Sequence, residues 1–234
     1  MIVYILLAYL LSPTYRSTFS FSQHEAVFFN PSVLEDRFDL SLVFATPYSI
    51  KGLNFYEISL SFKNLGFGVQ TLVFGDFYQT SLNLGYGVRV KKSFSAGAAI
   101  ELVQLVSESA HSKVRFFGGI SSSPSENLTF GVSFFNLYST SHFDPGSVSF
   151  QLMKRFTGDF KTAVNLVLEE GQEISPRIAV FYRLIRNFEL IMGFSSNPDE
   201  YFAGVNILKG FKFTYSVGFH PYLGITQVFE VSSF

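Results

Sequence analysis

The residues best able to bind a metal or move a proton are the histidines His24, His111, His142 and His220. None falls in an H-x-x-x-H or other ligand spacing, so no metal site is expected. Cysteine is absent, with Cys 0, which removes thiolate catalysis, disulfides and Cys-based zinc sites. Ser139, Ser141 and His142 share one expected loop, but nucleophilic catalysis needs Ser, His and an orienting group in fixed geometry. No G-x-S-x-G or phosphate loop occurs, and Gly85-Tyr86-Gly87 has no following helix to complete a nucleotide fingerprint. Neither an enzyme nor a cofactor is expected. What the sequence does offer is charge confined to one parity of its strands. Arg89, Lys91, Lys113, Arg115, Arg155, Lys161, Arg177, Arg183 and Lys212 share that parity with Asp39, Glu57, Glu101, Glu169, Glu189 and Glu230. These groups can line a mildly cationic lumen, or they can pair across strands and hold a narrow barrel open. Pairing is the favoured reading, because interior charges are costly without partners.

Such charges need a wall to project from, and the chain supplies one through its period of two. In Tyr78 to Lys91 one parity reads Tyr78, Thr80, Leu82, Leu84, Tyr86, Val88 and Val90. The other reads Gln79, Ser81, Asn83, Gly85, Gly87, Arg89 and Lys91. Phe211 to His220 repeats the pattern, as do Phe188 to Phe194 and Val148 to Leu152. Strict alternation is the strand signal, and no long segment has helical periodicity. About fourteen such segments of ~8–13 residues are expected, the length of a tilted strand crossing a bilayer. They lie near 37–46, 53–63, 65–74, 77–90, 93–105, 112–121, 127–138, 146–156, 160–169, 174–185, 187–195, 200–208, 210–219 and 223–233. One set of connections is tight: Lys63-Asn64, Lys91-Lys92, Thr157 to Asp159, Arg186-Asn187 and Lys209-Gly210, with Ser122 to Asn127 its longer member. The other set, apart from the short Gly75 to Phe77, tends to be longer, as in Thr46 to Gly52 and Ser139 to Gly146. Short turns on one rim and longer loops on the other is the outer-membrane arrangement.

Alternation alone does not say which parity faces lipid. Composition does more. Aromatic residues reach 18%, with Phe 30 and Tyr 12, while charged residues are only 15%. The apolar parity is nearly free of charge and rich in Phe and Tyr; the polar parity is rich in Gly, Ser and Asn. A soluble core of this size would mix in small residues to fit its limited volume, and a wet outer face would carry more Lys and Glu. The expected fold is therefore an all-β, transmembrane, antiparallel up-and-down β-barrel of about 14 strands. The alternative is a soluble all-β sandwich or barrel that binds a ligand. A net charge of −1 leaves no basic footprint for nucleic acid.

Met1 to Leu11 has the length of a signal h-region and is too short to span a bilayer, although no Lys or Arg precedes it. Ser20-Phe21-Ser22 fits a small-x-small cleavage site. The expected organisation is a signal peptide over 1–22, a short N-terminal plug segment over 23–36 and a barrel over 37–234. Phe28 and Phe29 are expected to tuck into the short-turn mouth, because two exposed Phe on a free tail would be costly. Asn30, before Pro31, is expected to cap a turn, since the residue before proline is biased away from helix.

Three stretches resemble a known family. Ala26-Val27-Phe28-Phe29-Asn30-Pro31-Ser32 is similar to the A-x-x-x-N-P-[AS] segment that opens barrels of the long-chain fatty-acid transporter (FadL) superfamily, which includes the PorV/PorQ-type barrels of type IX secretion. Gly131 to Leu137 resembles their mid-barrel G-v-x-x-x-N-l strand, and Tyr215 through Phe234 resembles their last hairpin. The resemblance implies fourteen strands and an N-terminal hatch, shortened here to about Gln23 to Asp36. It also implies that Gly66 and Gly68, in the third strand, mark a kink opening sideways to the membrane; plain room for interior packing is the favoured alternative. The chain lacks most of the family's loop insertions. Phe234 shares parity with Glu230 and Ser232, not with Phe229 and Val231, so the terminal assembly signal departs from the pattern.

The function expected is a non-enzymatic bacterial outer-membrane barrel of FadL/PorV type. It is either a structural, secretion-associated barrel docking another envelope or secretion protein, or a passive channel for small hydrophobic solutes. Its partners are then outer-membrane lipid and a hydrophobic small-molecule ligand. Lumen-lining residues are Arg89, Lys91, Glu101, Arg115, Lys161, Arg177, Arg183, Glu189 and Lys212; plug residues are Phe28, Phe29, Asn30 and Pro31.

Overall fold

The computed structural model describes residues 23–34, 38–107, 110–139, 146–196 and 199–233. The expected signal segment, the Ser141-His142 pair and Phe234 lie outside the described residues. The described residues open with a short helix, α1 (Gln23–Phe29), and a 3₁₀ turn, Pro31–Val33. Fourteen strands follow: β1 (Asp39–Thr46), β2 (Leu53–Phe62), β3 (Leu65–Phe74), β4 (Phe77–Lys91), β5 (Phe94–Val106), β6 (Ala110–Ser125), β7 (Leu128–Ser139), β8 (Ser147–Arg155), β9 (Phe160–Glu169), β10 (Ser175–Ile185), β11 (Phe188–Ser195), β12 (Glu200–Lys209), β13 (Phe211–His220) and β14 (Gly224–Ser232). Each pairs antiparallel with its sequence neighbours, and β1 closes on β14 through pairs such as Ser41 with Ser232 and Phe44 with Phe229. Closure leaves no sheet edge, which lipid could not satisfy.

The alternation read from sequence is the alternation of the wall, and it sets the polarity of the barrel. Leu84 on β4 is 54% exposed on the outside, while Asn83 beside it is 2% exposed on the inside. On β1 and β2, Leu40, Leu42, Tyr56, Ile58 and Leu60 face out, and Asp39, Ser41, Glu57, Ser59 and Ser61 face in. A soluble barrel would show the opposite, with its apolar parity buried. This is a transmembrane barrel with a polar interior.

Turn chemistry follows the residues. Lys63 and Asn64 adopt φ 51° and 67°, the two positive values that a two-residue hairpin matched to strand twist requires. The connection expected over Ser122 to Asn127 is shorter than its sequence suggests: β6 continues through Ser125, with its register shifting between Ser122 and Ser125. Pro124 falls inside that irregularity, where its missing N–H costs no ladder bond.

Candidate functional site

The site is built where the N-terminal segment meets the inner wall. α1 ends at Phe29, and the Asn30 N–H donates to the Ala26 carbonyl at 3.0 Å. Asn30 itself is extended, at φ −151° and ψ 86°, as the following Pro31 demands. Its Oδ1 accepts from the Ser32 N–H at 3.3 Å and from the Ser32 hydroxyl at 2.6 Å. Asn30 therefore caps the 3₁₀ turn, as expected. The helix over Gln23–Phe29 has no counterpart in the sequence reading, because seven residues carry too little periodicity to read.

The segment is seated inside the barrel. Val27, Phe28, Phe29, Asn30, Ser32 and Leu34 are all buried. Val27, Phe28 and Phe29 join Ala99, Phe117 and Phe135 in one apolar cluster. Phe117 and Phe135 stack with ring centroids 6.0 Å apart. This is an apolar patch within a lumen lined mainly by Ser, Asn, Gln and charged side chains.

Glycine makes the seat. Gly66 and Gly68 on β3, Gly85 and Gly87 on β4, Gly97 on β5 and Gly119 on β6 all face inward beneath the segment. Strand register aligns them: Gly66 opposes Gly85, Gly87 opposes Gly97, and Gly97 opposes Gly119. A Cβ on Gly66 would meet Leu34 and Val27 at 2.9 Å, and one on Gly97 would run into the Pro31 and Ser32 backbone. Gly68 lies under the Phe28 ring and Gly119 under the Asn30 amide oxygen. β3 pairs in unbroken register through both glycines with β2 and β4, and what they provide is space. The ladder is interrupted elsewhere in mid-wall, between β6 and β7: Phe116 pairs with Tyr138 and Gly118 with Phe134, leaving Phe117 outside the ladder. Asn136 takes φ 54° there. The break lies directly outside the Phe117–Phe135 pair.

The opposite end is narrowed by the 47–52 loop. Its 3₁₀ turn, Pro47–Ser49, places buried Tyr48 against Ala45, Leu53, Phe55 and Leu72. The Tyr48 N–H donates to Thr226 Oγ1 at 2.9 Å, and the Tyr48 ring meets His220 edge-on with centroids 5.7 Å apart. His220 Nδ1 accepts from the N–H groups of Tyr222 and Leu223, both at 3.1 Å. Its role is to cap the 221–223 turn.

Three ion pairs join charges expected in the lumen. Arg115 reaches Glu101 at 3.2 Å, its direct register partner, and Lys161 reaches Glu189 at 3.1 Å across β10. Lys212 bonds Glu230 at 3.2 Å. Glu189 also accepts from Asn206 Nδ2 at 2.9 Å, and Asn206 Oδ1 accepts from the Thr214 hydroxyl at 2.8 Å. Lys161 further sits 4.6 Å from the centre of the Phe181 ring. Arg177 is buried in the wall, in register with Asn165 on one side and Ser195 on the other. Arg183 is half-buried opposite Glu189. Arg89 and Lys91 lie at the end of β4. A register shift lies between them, and both are exposed at the short-turn rim, beyond Gly87, where Pro31 and Leu34 occupy the inner wall. The glycine seat was visible in the sequence as glycines on the polar parity of successive strands; their alignment was not, because that depends on register.

No protein-family model matches the chain, and no curated protein matches it. Solved structures are similar in fold. The toluene transporter TbuX of Ralstonia pickettii aligns with a TM-score of 0.66 at 9% identity, over 90% of this chain and 93% of that one. The P. putida toluene transporter TodX aligns at 0.64 with 10% identity, over 90% of this chain and 94% of that one. A Pseudomonas aeruginosa FadL homologue aligns at 0.59 with 12% identity, over 89% of this chain and 93% of that one. At these identities the likeness is one of fold, a closed antiparallel barrel of fourteen strands.

Proposed function

We propose that the protein is a non-enzymatic channel of the bacterial outer membrane through which small hydrophobic solutes pass passively, with the N-terminal segment closing its short-turn, periplasmic end. The observation that carries this reading is the apolar cluster of Val27, Phe28, Phe29, Ala99, Phe117 and Phe135 inside a lumen lined mainly by polar side chains. When the segment shifts, Ala99, Phe117 and Phe135 offer an apolar solute a surface on which it gains about 25 cal/mol per Å² buried. The named cargo of the fold neighbours, toluene, belongs to the same class of solute. In this reading the solute leaves sideways to the membrane where the β6–β7 ladder is interrupted beside Phe117 and Phe135.

Deleting Gln23 to Ser32 and measuring solute flux tests the reading. In proteoliposomes, the full chain should admit a small aromatic hydrocarbon faster than a sugar of similar size. The deletion should raise single-channel conductance while the barrel stays heat-modifiable in unboiled gel samples. Equal flux of both solutes would overturn the hydrophobic preference, and unchanged conductance would overturn the plug. The secretion-associated, partner-docking reading draws on the outward aromatic wall. Envelope fractionation with crosslinking separates it from the channel: a docking barrel would co-purify with a stoichiometric protein, a channel with lipid.

A further inference from the structure

The two rims of the barrel carry opposite exposed charge. At the long-loop rim the exposed charges among the described residues are Asp76, Glu170, Glu173 and Asp199, with Lys51 the basic member. At the short-turn rim Lys63, Lys92, Lys154, Arg186 and Lys209 are exposed in or beside the turns, along with Arg89, Lys91 and Arg155; the exposed carboxylates there are Glu126 and Asp159. The basic groups are interleaved with large apolar side chains on the lipid face: Phe62 beside Lys63, Phe156 near Lys154, Ile185 beside Arg186 and Phe211 near Lys209, all at least half exposed. Two ammonium groups are held over those rings, Lys63 at 5.1 Å from the Phe62 centroid and Lys154 at 4.8 Å from that of Phe156.

We propose that the short-turn rim is a collar that binds anionic phospholipid headgroups. The rings anchor the apolar part of the rim at the edge of the acyl region. Cation–π contact then keeps each ammonium at headgroup depth, where it meets phosphate, instead of letting it extend into water. The acidic far rim repels the same headgroups, so the preference belongs to one leaflet. Each basic side chain near an anionic lipid surface is worth roughly a fivefold change in partitioning. The inference rests on the transmembrane fold and is independent of what the channel carries.

The test reconstitutes the full chain in nanodiscs of phosphatidylcholine and phosphatidylglycerol at a three-to-one ratio and counts retained lipids by native mass spectrometry. Phosphatidylglycerol should be enriched severalfold over its bulk share, and the enrichment should shrink in high salt, where the screening length falls to a few ångströms. Combining Lys63→Gln, Lys92→Gln, Lys154→Gln, Arg186→Gln and Lys209→Gln should return the ratio to bulk. Combining Asp76→Asn, Glu170→Gln and Glu173→Gln at the other rim should leave the enrichment in place. Heat-modifiability of each variant confirms its fold; should the fivefold variant not fold, Lys63→Gln with Lys154→Gln should alone lower the enrichment. Bulk lipid ratios around the unaltered protein would overturn the proposal, as would enrichment that survives neutralising the basic rim.

Discussion

Gly97→Val is the sharpest probe of the seated N-terminal segment. A Cβ at Gly97 would meet the Pro31 carbonyl and the Ser32 nitrogen. These are backbone atoms and cannot rotate away as a side chain can. Overpacking of this kind costs about 1–3 kcal/mol. Since each 1.4 kcal/mol is a factor of ten, the unseated population should rise roughly fivefold to a hundredfold. The chain has Cys 0, so Ser32→Cys introduces a single thiol at a buried position, isosteric with the serine it replaces. Its reaction with a membrane-impermeant maleimide in proteoliposomes reports unseating directly. The rate should rise by that factor when Gly97→Val is added. It should not rise with Gly158→Val, because a Cβ at Gly158 would meet nothing within 4 Å and that residue lies in a turn away from the segment. An unchanged labelling rate in a Gly97→Val barrel that remains heat-modifiable would refute the glycine seat.

Further outcomes follow from the same wall. Leu84→Arg puts a charge on the lipid face at mid-wall and should cost about 2–4 kcal/mol, read as a lower temperature of heat-modification. Thr214→Arg, inward and half-buried, should cost much less, and equal loss from both would invalidate the parity. Asn83, though inward, is too tightly enclosed to serve as that control. Glu189→Leu removes the partner of both Lys161 and Asn206 and should cost about 1.5–3 kcal/mol in urea unfolding, whereas Glu189→Gln keeps an acceptor for Asn206 and should cost less. Asn136→Gly should be near neutral and Asn136→Ile should lose about 1–2 kcal/mol, because φ 54° suits a residue free of β-branching; equal stability of the two would remove the strained bulge from the account. In intact cells, His111→Cys and Asp199→Cys should label from outside and Asn64→Cys and Lys209→Cys should not, a contrast whose absence would reverse or void the orientation.

Sequence alone determined the wall. The period of two is written residue by residue, so the strand segments, the polar-in and apolar-out parity and the short and long rims could all be read without coordinates. The outward Leu82, Leu84 and Tyr86 and the inward Ser81 and Asn83 stand as their parity dictates. Pro31 and Asn30 likewise foretold a capped turn, because proline restricts its neighbour locally. Tertiary structure decided what depends on register and on closure. Gly66 and Gly68 read from sequence as room for interior packing, but what fills that room, Val27, Phe28 and Leu34, was set only by the fold. Lys161 and Glu189 are 28 residues apart in sequence and meet because two hairpins bring β9 and β11 to either side of β10. The β6–β7 interruption has no local signature beyond an asparagine able to take positive φ. Side-chain parity is fixed by the bonds within one strand, but which side chains share a site is fixed by the hydrogen bonds between strands, and those form only when the barrel closes.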